Sequence, residues 1–357
     1  MAKEKVILAY SGGLDTTVII PWLKENYDYD VIAVCIDVGQ GDDWPKIKSR
    51  AVKTGASACY VVDARQEYIE EYIWPAVKAN CKYEDQYLLG TSTARPLIGK
   101  ILVEYARQEG AVAICHGATG KGNDQIRFEL AIKAFAPDLR VIAAWRDPKW
   151  NMDSRDAEIK FLEDRGLEVP MKKDQSYSRD ENIWHISHEG LELEKTENEP
   201  HYEHMLKNTV CPEDAPETGE YVKIEFEKGI PVSVNGKKMN GLELMTELNK
   251  IGGRNGVGLV DICENRCVGM KSRGVYETPG GAILYAAHEM MDHLCLDRDT
   301  YHYKQQVSLR MSELIYDGKW FTTLMDACMA FVDKTQETCT GWVNLKLYKG
   351  SIRGAGS

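Results

Sequence analysis

Short apolar runs alternate with stretches of helical period through the first 170 residues. The runs at 5–9, 30–38, 58–63, 111–115 and 140–144 are nearly continuous in Val, Ile, Leu, Ala and Cys, as suits strands buried on both faces. Between and beside them, 15–26, 45–54, 65–78, 93–108 and 125–135 predict helices. Strands alternating with helices in this way predict an α/β fold, a doubly wound parallel sheet. Pro21 falls inside the first predicted helix, where it removes a hydrogen bond and costs roughly 3 kcal/mol or produces a kink.

The pattern then changes. Residues 195–220 are polar and carry Pro200, Pro212 and Pro216, so they read as a linker or surface excursion. Beyond them 221–227 alternates like a half-buried strand, and 230–234 followed by Asn235-Gly236 predicts a hairpin. Helices are expected at 241–251, 280–295 and 312–334, with a last strand at 342–348. Strands and helices without strict alternation predict a second, α+β domain. A chain of 357 residues calls for two domains, and the change of pattern places them at 1–170 and 171–357.

Composition narrows the classes. Apolar residues make up 43% and charged residues 28%, an ordinary globular balance. The net charge of −11 and pI of about 5.4 argue against broad nucleic-acid binding, though a local pocket can still oppose the global sign. Ten cysteines are scattered without a Cys-x-x-Cys pair, which fits reduced, structural thiols; Cys115, beside a glycine-rich loop, reads as a buried strand thiol. Neither a signal-peptide core nor an apolar run of eighteen residues occurs, so a soluble, cytoplasmic protein without a membrane partner is expected.

Two stretches carry candidate chemistry. In the first, the opening strand runs into Ser11-Gly12-Gly13-Leu14-Asp15-Thr16-Thr17. Such a turn lies at the carboxyl edge of the sheet, where open α/β folds bind ligands. Its glycines let backbone N–H groups approach, its hydroxyls donate, and the following helix adds its positive end, so the turn suits an anion. A helix cap by Asp15 or Thr16 is the plainer alternative. Neither Gly-x-x-x-x-Gly-Lys-Ser/Thr nor Gly-x-Gly-x-x-Gly is present at a strand end. The second stretch, His116-Gly117-Ala118-Thr119-Gly120-Lys121-Gly122-Asn123-Asp124, is again strand, glycine loop and helix start. Asn123 or Asp124 could simply cap that helix. Arg127 resists this account, because a cation in the first turn opposes the helix dipole. It makes more sense as a bidentate clamp on a carboxylate or phosphate. No cluster with metal-ligand spacing stands out, so no protein-held metal is expected.

The first turn resembles the PP-loop of the ATP pyrophosphatases, which cleave ATP between the α- and β-phosphates. Together with Glu84–Ser92, Asp180–Ser187, Glu264-Asn265-Arg266 and Met270–Pro279, the chain is similar to the argininosuccinate synthetase family along nearly its whole length. The resemblance implies ligation of citrulline and aspartate through a citrullyl-adenylate, with AMP and pyrophosphate released from MgATP. It implies ATP contacts at Ala9, Tyr10, Ser11, Gly12, Gly13, Leu14, Asp15, Thr16, Thr17, Ile36 and Gly117. Citrulline would be held by Tyr87, Ser92, Asn123, Arg127, Ser178, Ser187, Glu264 and Tyr276, and aspartate by Thr119, Asn123 and Asp124. Arg127 suits the citrulline carboxylate and Glu264 an ammonium or ureido N–H. Asp124 is the nearest candidate to accept the amine proton. Ser178-Arg179-Asp180-Glu181 also reads, by itself, as a capping box. Family members generally continue into a helical C-terminal arm that wraps neighbouring subunits of a homotetramer; the chain stops short of one, which leaves the tetramer in doubt. The rival readings are another PP-loop enzyme and a non-catalytic nucleotide sensor. A glutamine-dependent asparagine synthetase would need Cys at position 2, where Ala2 stands, and a thiolating enzyme would need reactive cysteines and a basic surface.

Overall fold

The computed structural model describes residues 3–120, 122–170 and 177–357. Five strands, β1 (Lys5–Ala9), β2 (Asp30–Asp37), β3 (Ala58–Asp63), β4 (Ala113–His116) and β5 (Arg140–Ala143), form one sheet in the order β3-β2-β1-β4-β5, with every pair parallel. Their helices are α1 (Leu14–Tyr27), α2 (Trp44–Thr54), α3 (Gly90–Glu109), α4 (Asp124–Phe135) and α5 (Arg155–Glu163). The order reverses between β1 and β4, so the turns leaving these two strands flank the topological switch point. The core is built from the continuous runs read above: Val6, Leu8, Val31, Ala33, Ala113 and Cys115 are each at most 1% exposed. Cys115 is thus a buried strand thiol, and burial pushes its pKa up. Helix α1 continues through Pro21 to a left-handed cap at Asp28.

The chain divides into two compact units, and not at one point. The first comprises 1–37, 41–64 and 95–174; the second comprises 38–40, 65–94 and 175–357. Residues 65–94, expected in the first domain, therefore belong to the second unit, and the expected boundary at 170/171 adjoins residues outside the described ones. The helix expected at 65–78 is a composite: Arg65–Glu67, a π-helical stretch Tyr68–Ile73, and Trp74–Ala79. Pro75 explains the wide turn, since it lacks the N–H that a regular α-helix would use there.

The second unit holds two antiparallel sheets. One is ordered β11-β12-β7-β6, from β6 (Ser178–Glu181), β7 (Ile186–Glu189), β11 (Leu259–Asn265) and β12 (Lys271–Glu277). Ser178 thus opens a strand rather than capping a helix; tertiary pairing overrides the local Ser-x-x-Glu signal. The other sheet runs β10-β9-β8-β13-β14, from β8 (Glu220–Glu227), β9 (Ile230–Val234), β10 (Lys237–Lys238), β13 (Gly341–Tyr348) and β14 (Ser351–Gly354). The Asn235-Gly236 hairpin is present, with φ of 52° and 79° at the two turn residues. Helix α6 (Gly241–Arg254) begins in a capping box of Asn240 and Glu243, and α7 is Pro279–Cys295. The single helix expected at 312–334 is instead two, α8 (Arg298–Tyr316) and α9 (Thr323–Gln336), because Gly318 at φ 76° breaks the run. Strand β14, beyond the expected last strand, pairs with β13.

Candidate active site

The turn after β1 is held by its own side chains. Ser11 Oγ lies 3.1 Å from Thr16 Oγ1 and accepts from Gly13 N–H at 3.3 Å; the Ser11 N–H donates to Thr16 Oγ1 at 3.3 Å. Helix α1 has no side-chain cap, so Thr16 and Asp15 are not spent as the plainer reading supposed. The Tyr10 hydroxyl lies 3.1 Å from Thr17 Oγ1, and burial pushes the phenol up to about 12. Gly12 adopts φ 78°, and a side chain there would meet Ile47. Arg50 of α2 donates through Nη1 to Gly12 O at 2.7 Å. The sequence reading missed Arg50. Its signal was available: Ile47, Arg50, Ala51 and Thr54 are spaced as one helical face, so a cation interrupts a buried stripe.

The turn after β4 lies against the first one. Gly117 has so little room that a methyl group would stand 3.2 Å from Thr16 Cγ2. Asn123 is 6% exposed and its side chain makes no cap hydrogen bond, which removes that alternative. Asp124 is gripped from two sides. Arg95 Nε donates to its Oδ2 at 2.9 Å, and Arg127 Nη1 donates to its Oδ1 at 3.0 Å. Burial would raise the Asp124 pKa, but the two guanidiniums outweigh it and hold the carboxyl below its ordinary value. Arg127, 4% exposed, lies on the buried side of α4 and pairs with Asp124 of the same helix. Arg95 was missed, because its partner lies 29 residues away in sequence.

In the second unit the candidates gather on the β6–β7–β12–β11 sheet and the segment before it. Tyr87 and Tyr276 stack with centroids 4.3 Å apart, and His185 stacks on Tyr276 at 6.0 Å. Ser187 is the register partner of Tyr276, and its hydroxyl accepts from Asp180 N–H at 3.1 Å. The Tyr87 hydroxyl accepts from Thr91 N–H at 3.1 Å. Ser92 is wholly buried with no hydrogen-bond partner for its hydroxyl among the described residues. Glu264 on β11 is 5% exposed, whereas Ser178 on β6 is exposed. Burial drives the Tyr276 phenol well above its ordinary pKa, so it stays a neutral hydroxyl. A cavity of about 330 Å³ is lined in part by Tyr87, Tyr276 and Tyr285; Ser92, Ser178, Ser187 and Glu264 do not line it.

A Ser-Gly-Gly turn after β1 and a second glycine loop after β4, flanking the strand-order reversal, define a nucleotide-binding domain of the PP-loop class. Residues 5–168 match the family model described as the arginosuccinate synthase N-terminal HUP domain, and residues 177–357 match its C-terminal domain. The chain belongs to the argininosuccinate synthase family. An argininosuccinate synthase of Brachyspira hyodysenteriae is 61% identical over 99% of this chain and 87% of its own. One of Agathobacter rectalis is 59% identical over the same shares. Among solved structures, a U34-tRNA thiolase of Methanococcus maripaludis matches with a TM-score of 0.31 at 16% identity, over 49% of this chain and 60% of its own, too slight a likeness to argue from. The activity follows from the family: ATP-dependent ligation of citrulline and aspartate to argininosuccinate, with an adenylate intermediate. The expectation of a missing C-terminal arm has no support here, since the C-terminal domain is matched to residue 357. Among the described residues no helix is long and apolar enough to cross a membrane.

Proposed function

We propose a division of labour for this ligation. The first unit takes MgATP: the backbone and hydroxyls of 9–17, the Ile36 backbone and Gly117 surround the nucleotide, and the Ser11–Thr17 turn holds the departing pyrophosphate. Magnesium arrives with the nucleotide as part of the substrate. In the same unit Arg127 and Asn123 take a substrate carboxylate, and Thr119, Asn123 and Asp124 take aspartate. In the second unit Tyr87, Ser92, Ser178, Ser187, Glu264 and Tyr276 serve the neutral and ammonium groups of citrulline. The protein works in the cytoplasm as a homotetramer.

In the first step the ureido oxygen attacks the α-phosphorus, and pyrophosphate leaves. In the second the aspartate amine attacks the activated carbon, the C–N bond forms, and the C–O bond to AMP breaks. Such transfers depend on positioning and charge stabilisation more than on a protein nucleophile. One observation refines the role of Asp124: it sits between Arg95 and Arg127, which keep it ionised. A carboxylate so held is a poor proton acceptor and a good partner for an ammonium group. We therefore assign Asp124 to substrate binding. The amine proton passes to the phosphate of departing AMP, whose second pKa is about 6. Asp124→Asn tests this. Steady-state kinetics should show a higher aspartate KM with the pH dependence of the second step unchanged. A fall in kcat with loss of the acidic limb of the profile would restore Asp124 as the base.

A further inference from the structure

The turn that follows β5, Ala144–Arg146, has no part in the reading above, yet it meets the 117–123 loop from outside. The Gly120 backbone lies against the Trp145 ring so closely that a methyl group in its place would overlap the indole. The Arg146 guanidinium lies 5.6 Å from the Trp145 ring centroid and hydrogen-bonds Glu129 of α4. A Glu129 carboxylate oxygen stands 3.7 Å from Nε2 of His116, the wholly buried last residue of β4. Phe128 stacks on that imidazole at 5.6 Å, and Arg95, the partner of Asp124, lies 5.7 Å from the Phe128 ring. One short turn thus touches the loop at its middle and, through Glu129, reaches the strand before it and the helix after it. Within the loop, the Gly122 N–H to Thr119 O bond is long, at 3.5 Å.

We infer that Trp145 and Arg146 are positioning residues for the second step, setting where Thr119 and Asp124 stand when the aspartate amine attacks. This rests on the assignment of those two residues to aspartate made above. Trp145 keeps 38% of its surface exposed, so deep burial is not what places it. Its close fit is to Gly120, and only a glycine allows that fit. A turn that merely stabilised the domain would affect both steps alike when altered. A positioning turn affects the aspartate step.

The test uses the full chain with Trp145→Ala, Trp145→Phe, Gly120→Ala and the Gly120→Ala/Trp145→Ala double variant. Two quantities are read: citrulline-dependent pyrophosphate release in a single turnover without aspartate, and KM and kcat for aspartate. Trp145→Ala and Gly120→Ala should each raise the aspartate KM by roughly tenfold or more while the first step stays within about twofold, as small misplacements of a reacting group permit. Trp145→Phe should recover most of the loss. In the Trp145→Ala background the added methyl at Gly120 finds room, so the double variant should fall no further than about twofold below the single one. Equal losses in both steps, an unchanged aspartate KM, or multiplicative effects in the double variant would overturn the inference. If wild-type pyrophosphate release did not need citrulline, the proposed function would fail instead.

Discussion

The two loops at the strand-order reversal differ in where their supporting contacts come from. The Ser11–Thr17 turn supports itself: hydroxyls bond one another and the backbone within a few residues, with Arg50 added from α2. The described residues of the second loop meet groups from outside it: Thr16 against Gly117, Trp145 against Gly120, and Arg95 on Asp124 at the helix start. A self-bonded loop carries its supports within the motif, whereas the supports of an externally held one are scattered along the chain. The same contrast orders the expected damage from mutation.

The largest effect should come from the externally held side. Arg127→Leu removes a buried cation and leaves Asp124 with Arg95 alone. Citrulline-dependent pyrophosphate release should vanish, with a loss on the order of 2–5 kcal/mol in binding, while ATP binding measured by calorimetry stays intact. Normal turnover would break the contrast, because the loop would then not need its clamp. A smaller loss is expected from Arg50→Met, which cuts a charged support that reaches the self-held turn from α2. A lost charge-assisted hydrogen bond of about 1.5–3 kcal/mol should appear as a raised ATP KM with the citrulline and aspartate KM values unmoved.

The mildest test concerns pH. Glu158 of α5 has its carboxyl raised from 4.5 to about 8, chiefly by burial and then by the negative charge of Asp15. Its proton affinity is higher folded than unfolded, so its contribution to stability is present below pH 4.5 and lost as pH rises through about 8. Above that point a second negative charge stands beside Asp15 at the mouth of the first turn. The ATP KM should therefore climb as pH rises through about 8, and Glu158→Gln should flatten the climb. An identical pH profile in the variant would mean that Asp15 does not feel Glu158.

This contrast also explains what the sequence disclosed. The parallel sheet was legible because doubly buried strands need continuous apolar runs, and 58–63 coincides with β3 to the residue. Strands β11 and β12 went unread because the buried face of β11 carries the charged Glu264 and β12 opens on Lys271-Ser272-Arg273, so neither shows an apolar alternation. The split of 312–334 was concealed by a single glycine that ends α8. That residues 65–94 pack in the second unit was not legible, because helical period reports a buried face and not which core it serves. Of the candidate residues, Ser11–Thr17 stood out locally, while Arg95, Trp145 and Arg146 depended on contacts that only the folded chain brings about.

The Arg50 bond to Gly12 has a kinetic side. A peptide unit next to a glycine at positive φ can rotate about its flanking bonds, presenting either its N–H or its carbonyl to an incoming anion. By anchoring the Gly12 carbonyl, the guanidinium removes the repelling orientation before any nucleotide arrives. On the proposed assignment of this turn to the pyrophosphate end of ATP, the Gly12 peptide needs no rearrangement when the nucleotide binds.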